Sequence, residues 1–261
     1  MLAVLVLVVA LGTGGYLVYS KWGANPGCQG AVAGCTRVFF LGNSYTSVND
    51  LPYVFAALAW SGGHRVDTAV IAPGGWSLVD HAGDPDTRAT LSASHWDWVV
   101  LQEQSEVPAI ESDRQRLMYP GARELVAAVR AAGAQPIFYE TWGHEGGWPS
   151  AGMPDYHSMQ TAIDDAYDFI AREQGAPVAP VGRAWAEIVN SDPTPGLWQG
   201  DGSHPTAKGT YLAACVLYAA TFHESPVGLG YHQWISGADA AEAQAAAADV
   251  VPGLPASANR P

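Results

Sequence analysis

Asp201-Gly202-Ser203-His204 sets a carboxylate and an imidazole three residues apart, bracketed by Gly200 and Pro205. Two glycines and a proline exclude a helix there, so the four residues form a loop, and Thr206 opens the apolar helix that follows. At this spacing the carboxylate can bond one ring nitrogen and leave the other free to act as a general base. An Asx turn ahead of a helix, with an exposed histidine, is the ordinary reading of an isolated Asp-x-x-His. A base also needs a group to deprotonate. In "FFLGNSYTSVND", residues 39–50, an apolar run breaks on Gly42 and presents Asn43 and Ser44. Serine is a poor nucleophile at its free pKa and needs an adjacent base. Taken alone, this stretch is equally a strand-to-helix turn.

Hydrophobic spacing gives the elements that would have to bring the two stretches together. Residues 37–41 read as a strand closed by Gly42, and 50–61 as a helix with Leu51, Val54, Phe55 and Leu58 on one face. Further strands are expected at 65–71, 98–101, 135–139 and 177–181. Further helices are expected at 113–132, 156–174 and 206–222. Strands separated by helices require crossover connections, hence a parallel sheet covered on both faces. In such sheets function gathers at the carboxyl ends of the strands. Those ends are Gly42-Asn43-Ser44, Gly74-Gly75, Gln102 to Ser105, and Glu140 to Trp148.

The chain has 261 residues, 48% hydrophobic and 14% charged, enough for one α/β domain with a substantial core. Its net charge of −13 repels phosphate backbones, so nucleic-acid binding is not expected. Residues 1–20 contain no charge and read as a signal peptide or membrane anchor. Membrane contact is expected only through this segment, and the chain is expected to act outside the cytoplasm, secreted or anchored. Residues 21–36 form a linker in which Cys28 and Cys35 suit a local disulfide. Cys215, in "YLAACVLYAA", reads as a small core residue. Residues 37–235 are taken as the domain, and 236–261 as an Ala-rich helix followed by a disordered tail.

In chain order, a serine follows the first strand, glycines the second, an amide-bearing loop the third, and Asp-x-x-His precedes the last helix. This set resembles the SGNH, or GDSL-type, hydrolase superfamily over roughly residues 37–222. Bacterial members beginning Gly-Asn-Ser-Tyr-Thr are most similar. The resemblance implies a three-layer α/β/α fold with a central, mostly parallel five-stranded sheet, SGNH- or flavodoxin-like. It also implies a serine esterase without a cofactor or metal. Ser44 would be the nucleophile, His204 the base and Asp201 its orienting acid. The oxyanion hole would use the N–H groups of Ser44 and Gly75 and the side-chain amide of Gln104. Gln104 stands where the family has asparagine, and Asn43 where it commonly has aspartate. The α/β-hydrolase pattern Gly-x-Ser-x-Gly is disfavoured, because Thr46 occupies the last glycine's place.

Asn43, Glu103, Trp142, His144 and Trp198 are candidate substrate contacts, since polar and aromatic residues at strand ends often line pockets. Glu103 and Glu140 could instead form ion pairs. His81 and Asp84 read as helix-end residues rather than metal ligands, as no HExxH or Cys/His cluster accompanies them. Trp96 and Trp98 read as core and rim packing. The expected partner is a small-molecule or carbohydrate ester carrying an acetyl or other short acyl group. The alternative is a domain of the same fold that binds without catalysis, suggested by Gln104.

Overall fold

A computed structural model describes residues 27–28, 34–232 and 234–254. The expected N-terminal segment, most of the linker and the terminal tail lie outside the described residues. Five strands form one sheet: β1 Cys35–Leu41, β2 Arg65–Ile71, β3 Trp98–Leu101, β4 Gln135–Tyr139 and β5 Val178–Ala179. Their order is β2-β1-β3-β4-β5, and every pairing is parallel. The expected three-layer α/β/α architecture is therefore the one observed. Cys28 and Cys35 are joined as a disulfide. Among the described residues, no helix is long and apolar enough to cross a membrane.

Burial on both faces explains why β1 carries no polar alternation. Val38 and Phe40 enter one core and Phe39 and Leu41 the other, all four fully buried. The first core is closed by α2 (Leu51–Ser61), α8 (Val181–Ser191), α9 (Ala207–Phe222) and α10 (Gly237–Val250). The second is closed by α3 (Leu78–Gly83), α4 (Pro85–Ala93), α6 (Tyr119–Ala131) and α7 (Tyr156–Gln174). Two short helices complete the set: α1 (Ser44–Ser47) follows β1, and α5 (Glu111–Asp113) leads through a π-helical turn, Arg114–Met118, into α6.

Several elements depart from the sequence reading. The fifth strand shrinks to two residues, because Pro177 and Pro180 bracket it and cannot donate to the ladder. Helices α3 and α4 were foreshadowed only by His81 and Asp84 as helix-end residues, since only Leu78, Ala82 and Leu91 face the core as apolar groups. Their ends are instead set by a Ser77–Asp80 capping box and by Asp84 capping α4 ahead of Pro85. Helix α8 was also missed, although Val181, Ala184, Trp185 and Ile188 recur at helical spacing. Residues 236–261 were set apart from the domain. In the structure α10 lies on α9 and α8, with Ala243 and Ala247 completely buried, because its alanines permit close helix approach.

Gly121 shows how tightly α6 meets α3. A Cβ there would lie 2.4 Å from the Val79 nitrogen and 2.5 Å from the Leu78 carbonyl carbon. Backbone cannot yield as a flexible side chain can. Gly121→Ala should therefore destabilise the fold by about 1–3 kcal/mol, read as a lower midpoint in urea unfolding.

Candidate active site

The order β2-β1-β3 creates a topological switch point between β1 and β3, where ligands bind in open α/β sheets. Gly42 leaves the end of β1 in fully buried surroundings. A Cβ at Gly42 would sit 2.4 Å from both Gln102 Oε1 and Thr46 Oγ1, so only glycine fits. Asn43 caps α1, its Oδ1 accepting from Tyr45 N at 3.0 Å, and Ser44 is the first residue of that helix.

Ser44 Oγ lies 3.0 Å from His204 Nε2, and His204 Nδ1 lies 2.6 Å from Asp201 Oδ2. With the carboxylate accepting from Nδ1–H, Nε2 is left as an acceptor for the serine hydroxyl. Asp201 Oδ1 accepts from Ser203 N at 2.9 Å and His204 N at 3.0 Å. One Asp201 oxygen thus closes the turn while the other meets the imidazole. Those backbone bonds, first that from Ser203 and then the imidazole, hold the Asp201 carboxyl down at about 2.

The 201–204 loop is held from several directions. Trp142 Nε1 donates to Ser203 O at 3.0 Å, Glu145 N to Gly202 O at 2.8 Å, and Asn49 Nδ2 to Pro205 O at 3.0 Å. Tyr45 OH lies 2.7 Å from Ser203 Oγ. Its ring stacks on Trp142 at 4.4 Å, and Trp142 stacks on Trp185 at 4.0 Å. The edge of Tyr45 also meets the His204 ring at 5.7 Å. Tyr45 therefore ties the residue after the serine to the residue before the histidine.

Three N–H groups at neighbouring strand ends make no hydrogen bond among the described residues. Ser44 N, at the start of α1, has no intrahelical acceptor. Gly75 N sits in a left-handed residue, φ +79°, with open space where a Cβ would be. Gln104 Oε1 accepts from Glu106 N and Val107 N at 2.7 and 3.0 Å. This orientation leaves the Gln104 NH₂ as the uncommitted end of the amide.

Four of the five candidate substrate contacts are used up inside the protein. Asn43 is 2% exposed and bonds Trp76 O through Nδ2. Trp142 is 0% exposed within its aromatic stack. Trp198 packs edge-on against Trp185 and Tyr156 and donates Nε1 to Gly143 O. Glu103 is fully buried against backbone N–H groups. These four read as pocket residues because strand-end position does not distinguish a side chain facing the site from one facing inward. His144 alone stays half-exposed. Its Nε2 is buried without a hydrogen-bond partner among the described residues, and burial foremost lowers its pKa, with Glu106 and Asp201 opposing. Glu140 accepts from Arg183 N at 3.0 Å and lies 3.6 Å from Arg183 Nε, an ion pair behind the sheet edge.

Two further residues organise the site: Gln102, read from sequence only as the start of a strand-end loop, and His81, read there as a helix-end residue. Gln102 Oε1 accepts from Asn43 N at 2.9 Å and Thr46 Oγ1 at 2.8 Å, while its Nε2 donates to Asn43 Oδ1 at 2.9 Å. His81 is fully buried with Nε2 2.8 Å from Gly42 O, and desolvation lowers its pKa, favouring the neutral ring. Asp84, its sequence partner, caps α4. An amide directly after a buried strand was the available signal for Gln102.

No family model matches the sequence, and no curated protein matches it. Solved structures do. A protein from Slackia heliotrinireducens, described as an SGNH hydrolase, is 31% identical over 72% of this chain and 99% of its own, with a TM-score of 0.61. A DUF4886 family protein from Bacteroides uniformis aligns with 82% of this chain and 93% of its own at 21% identity and a TM-score of 0.68. An acetyl xylan esterase from Geobacillus stearothermophilus, at 14% identity, shares the fold over 76% of this chain and 97% of its own, with a TM-score of 0.55. The chain belongs to the SGNH hydrolases. It is an enzyme of the serine-hydrolase class.

Removing only the Tyr45 hydroxyl tests the tie between the two loops. Tyr45→Phe keeps the aromatic stack but frees Ser203, and kcat should fall about 10-fold with KM little changed, the cost of a small misplacement of His204. Activity measured from pH 3 to 9 should contain no inflection from Asp201. A depressed carboxyl stays ionised above its folded value, so the pair survives until the pH approaches about 2.

Proposed function

We propose that this protein hydrolyses esters through an acyl-enzyme, with Ser44 as nucleophile, His204 as base and then acid, and Asp201 orienting the imidazole. The observation that carries this reading is the unbroken Ser44–His204–Asp201 chain of hydrogen bonds, 3.0 and 2.6 Å long. His204 takes the serine proton as Ser44 Oγ attacks the carbonyl carbon. It returns that proton to the departing alcohol oxygen. Water then enters, gives its proton to His204 and releases the acid, restoring Ser44. Ser44 N, Gly75 N and Gln104 Nε2 meet the oxyanion formed in both halves. The binding-domain alternative rested on Gln104, whose uncommitted NH₂ supports the donor role instead.

We assign the substrate to short-chain acyl esters, an acetylated carbohydrate foremost. The groups around the triad are polar: Ser203 and the Tyr45 hydroxyl beside His204, and Glu106 and His144 near enough to influence one another electrostatically. Such a rim suits a hydroxylated alcohol and offers little to a long acyl chain. The fold shared with an acetyl xylan esterase agrees with this choice. Action outside the cytoplasm, by secretion or anchoring through residues 1–20, is supported by the Cys28–Cys35 disulfide.

Hydrolysis of p-nitrophenyl acetate and p-nitrophenyl palmitate by wild type, Ser44→Ala and Gln104→Ala tests the assignments. The acetate should be the better substrate. Ser44→Ala should lose at least about 10⁴ in kcat, since the nucleophile carries the covalent step. Gln104→Ala should lose about 10²–10³, the worth of one oxyanion donor. Equal rates in wild type and Ser44→Ala would overturn the nucleophile assignment. A fluorophosphonate probe should label wild type at Ser44 and leave the alanine variant unlabelled.

A further inference from the structure

Glu103 is a fully buried carboxyl that neither the triad nor the proposed oxyanion donors use. Its Oε1 accepts from Gln104 N at 2.6 Å. Leu78 N donates to the same carboxyl, 3.2 Å from Oε1 and 3.3 Å from Oε2. Gln104 belongs to the loop after β3. Leu78 opens α3 at the end of the loop after β2, three residues beyond Gly75. One side chain therefore binds the backbones of the two loops that supply the second and third oxyanion donors.

Each end of this strut is itself stiff. The Gly75 side is closed by Ser77 N and Oγ, both donating to Asp80 Oδ2, and Trp76 O is held by Asn43 Nδ2. On the Gln104 side, Glu106 N and Val107 N lock the amide oxygen. Glu103 N is anchored 3.2 Å from Tyr167 OH. Burying a carboxyl is costly and is offset only by bonds such as these, so an apolar residue would satisfy the core with less strain on the design. Oxyanion donors, by contrast, must hold their separation to a fraction of an ångström, because they act on a charge that exists only in the transition state.

We propose that Glu103 is a positioning residue that sets the distance between the Gly75 and Gln104 oxyanion donors. The proposal rests on the esterase reading above and extends it to a residue that touches neither substrate nor triad. Burial foremost raises its pKa to about 8, with the Gln104 and Leu78 N–H groups opposing, which agrees with a carboxyl held in place for its bonds at some electrostatic cost. Asp80 is the charged neighbour acting on it, and the Tyr167 hydroxyl faces the same segment.

Glu103→Gln keeps the volume and an oxygen for Gln104 N, but sets an NH₂ against Leu78 N–H, which lies 3.2 and 3.3 Å from the two carboxyl oxygens, so the Leu78 end of the strut is weakened. With p-nitrophenyl acetate, kcat should fall about 10–100-fold while KM changes less than about twofold. A short alkyl boronic acid that adds to Ser44 Oγ as a tetrahedral transition-state mimic should lose affinity in the same proportion as kcat/KM. Thermal unfolding and active-site titration with the fluorophosphonate give the fraction of folded, reactive enzyme to which the rates refer. If Glu103 serves the fold alone, the melting temperature falls while kcat per titrated site and the boronate Ki stay at wild-type values, and the proposal is overturned. Should Glu103→Gln fail to fold, Glu103→Asp takes its place under the same criteria, retaining the carboxyl with one methylene less reach. Ser44→Ala run alongside separates the two levels: full activity there sinks the esterase reading, whereas a dead Ser44→Ala with an unimpaired Glu103→Gln sinks only the strut.

Discussion

A strand buried on both faces must end inside the protein, and its last polar groups must then find protein partners. β1 is such a strand, and an unpaired buried N–H or carbonyl at its end would cost about 1–3 kcal/mol. Gln102 answers this for Asn43 N, His81 for Gly42 O, and Asn43 itself for Tyr45 N. The turn that presents Ser44 is consequently fixed by neighbours on every side except the one facing His204. Removing Gln102 from this arrangement would take the partner of both Asn43 N and Thr46 Oγ1.

The same economy shapes the histidine loop. Asp201 divides its two oxygens between closing the turn and orienting the ring, so loop conformation and imidazole direction cannot vary separately. The stack of Tyr45, Trp142 and Trp185 then transmits the rigidity of the core to that loop, with Trp142 Nε1 and Tyr45 OH making the polar connections. Large buried aromatics serve here as spacers of defined thickness rather than as a binding surface.

Electrostatics divides the molecule by depth. The surface carries most of a net charge of −13, which favours solubility and disfavours polyanions. Among the described residues, buried Glu103 is bonded to two loop backbones, and buried Glu140 to Arg183 N through Oε1. Desolvation pushes both carboxyls upward, whereas exposed Asp201, held by hydrogen bonds, is pushed down.

What could be read from the amino-acid sequence was whatever short-range pattern determines. Hydrophobic period gave the strands and the long helices, since one apolar face repeats within a few residues, and Gly42, Gly75 and Pro205 marked where they stop. The chemistry of Asp201 and His204 was visible for the same reason, because three residues suffice to bring carboxylate to imidazole. Helix α8 was legible but overlooked, while α3 and α4 depend on caps more than on an apolar stripe. The direction a side chain takes from a strand end was not legible. Trp142, Trp198, Asn43 and Glu103 face inward because of partners tens of residues away. Sequence alone therefore determined which groups could act and at which edge of the sheet. Only tertiary structure decided that Ser44 meets His204 across 160 residues, since that contact exists only once β1 and the 201–204 loop are packed around the same core.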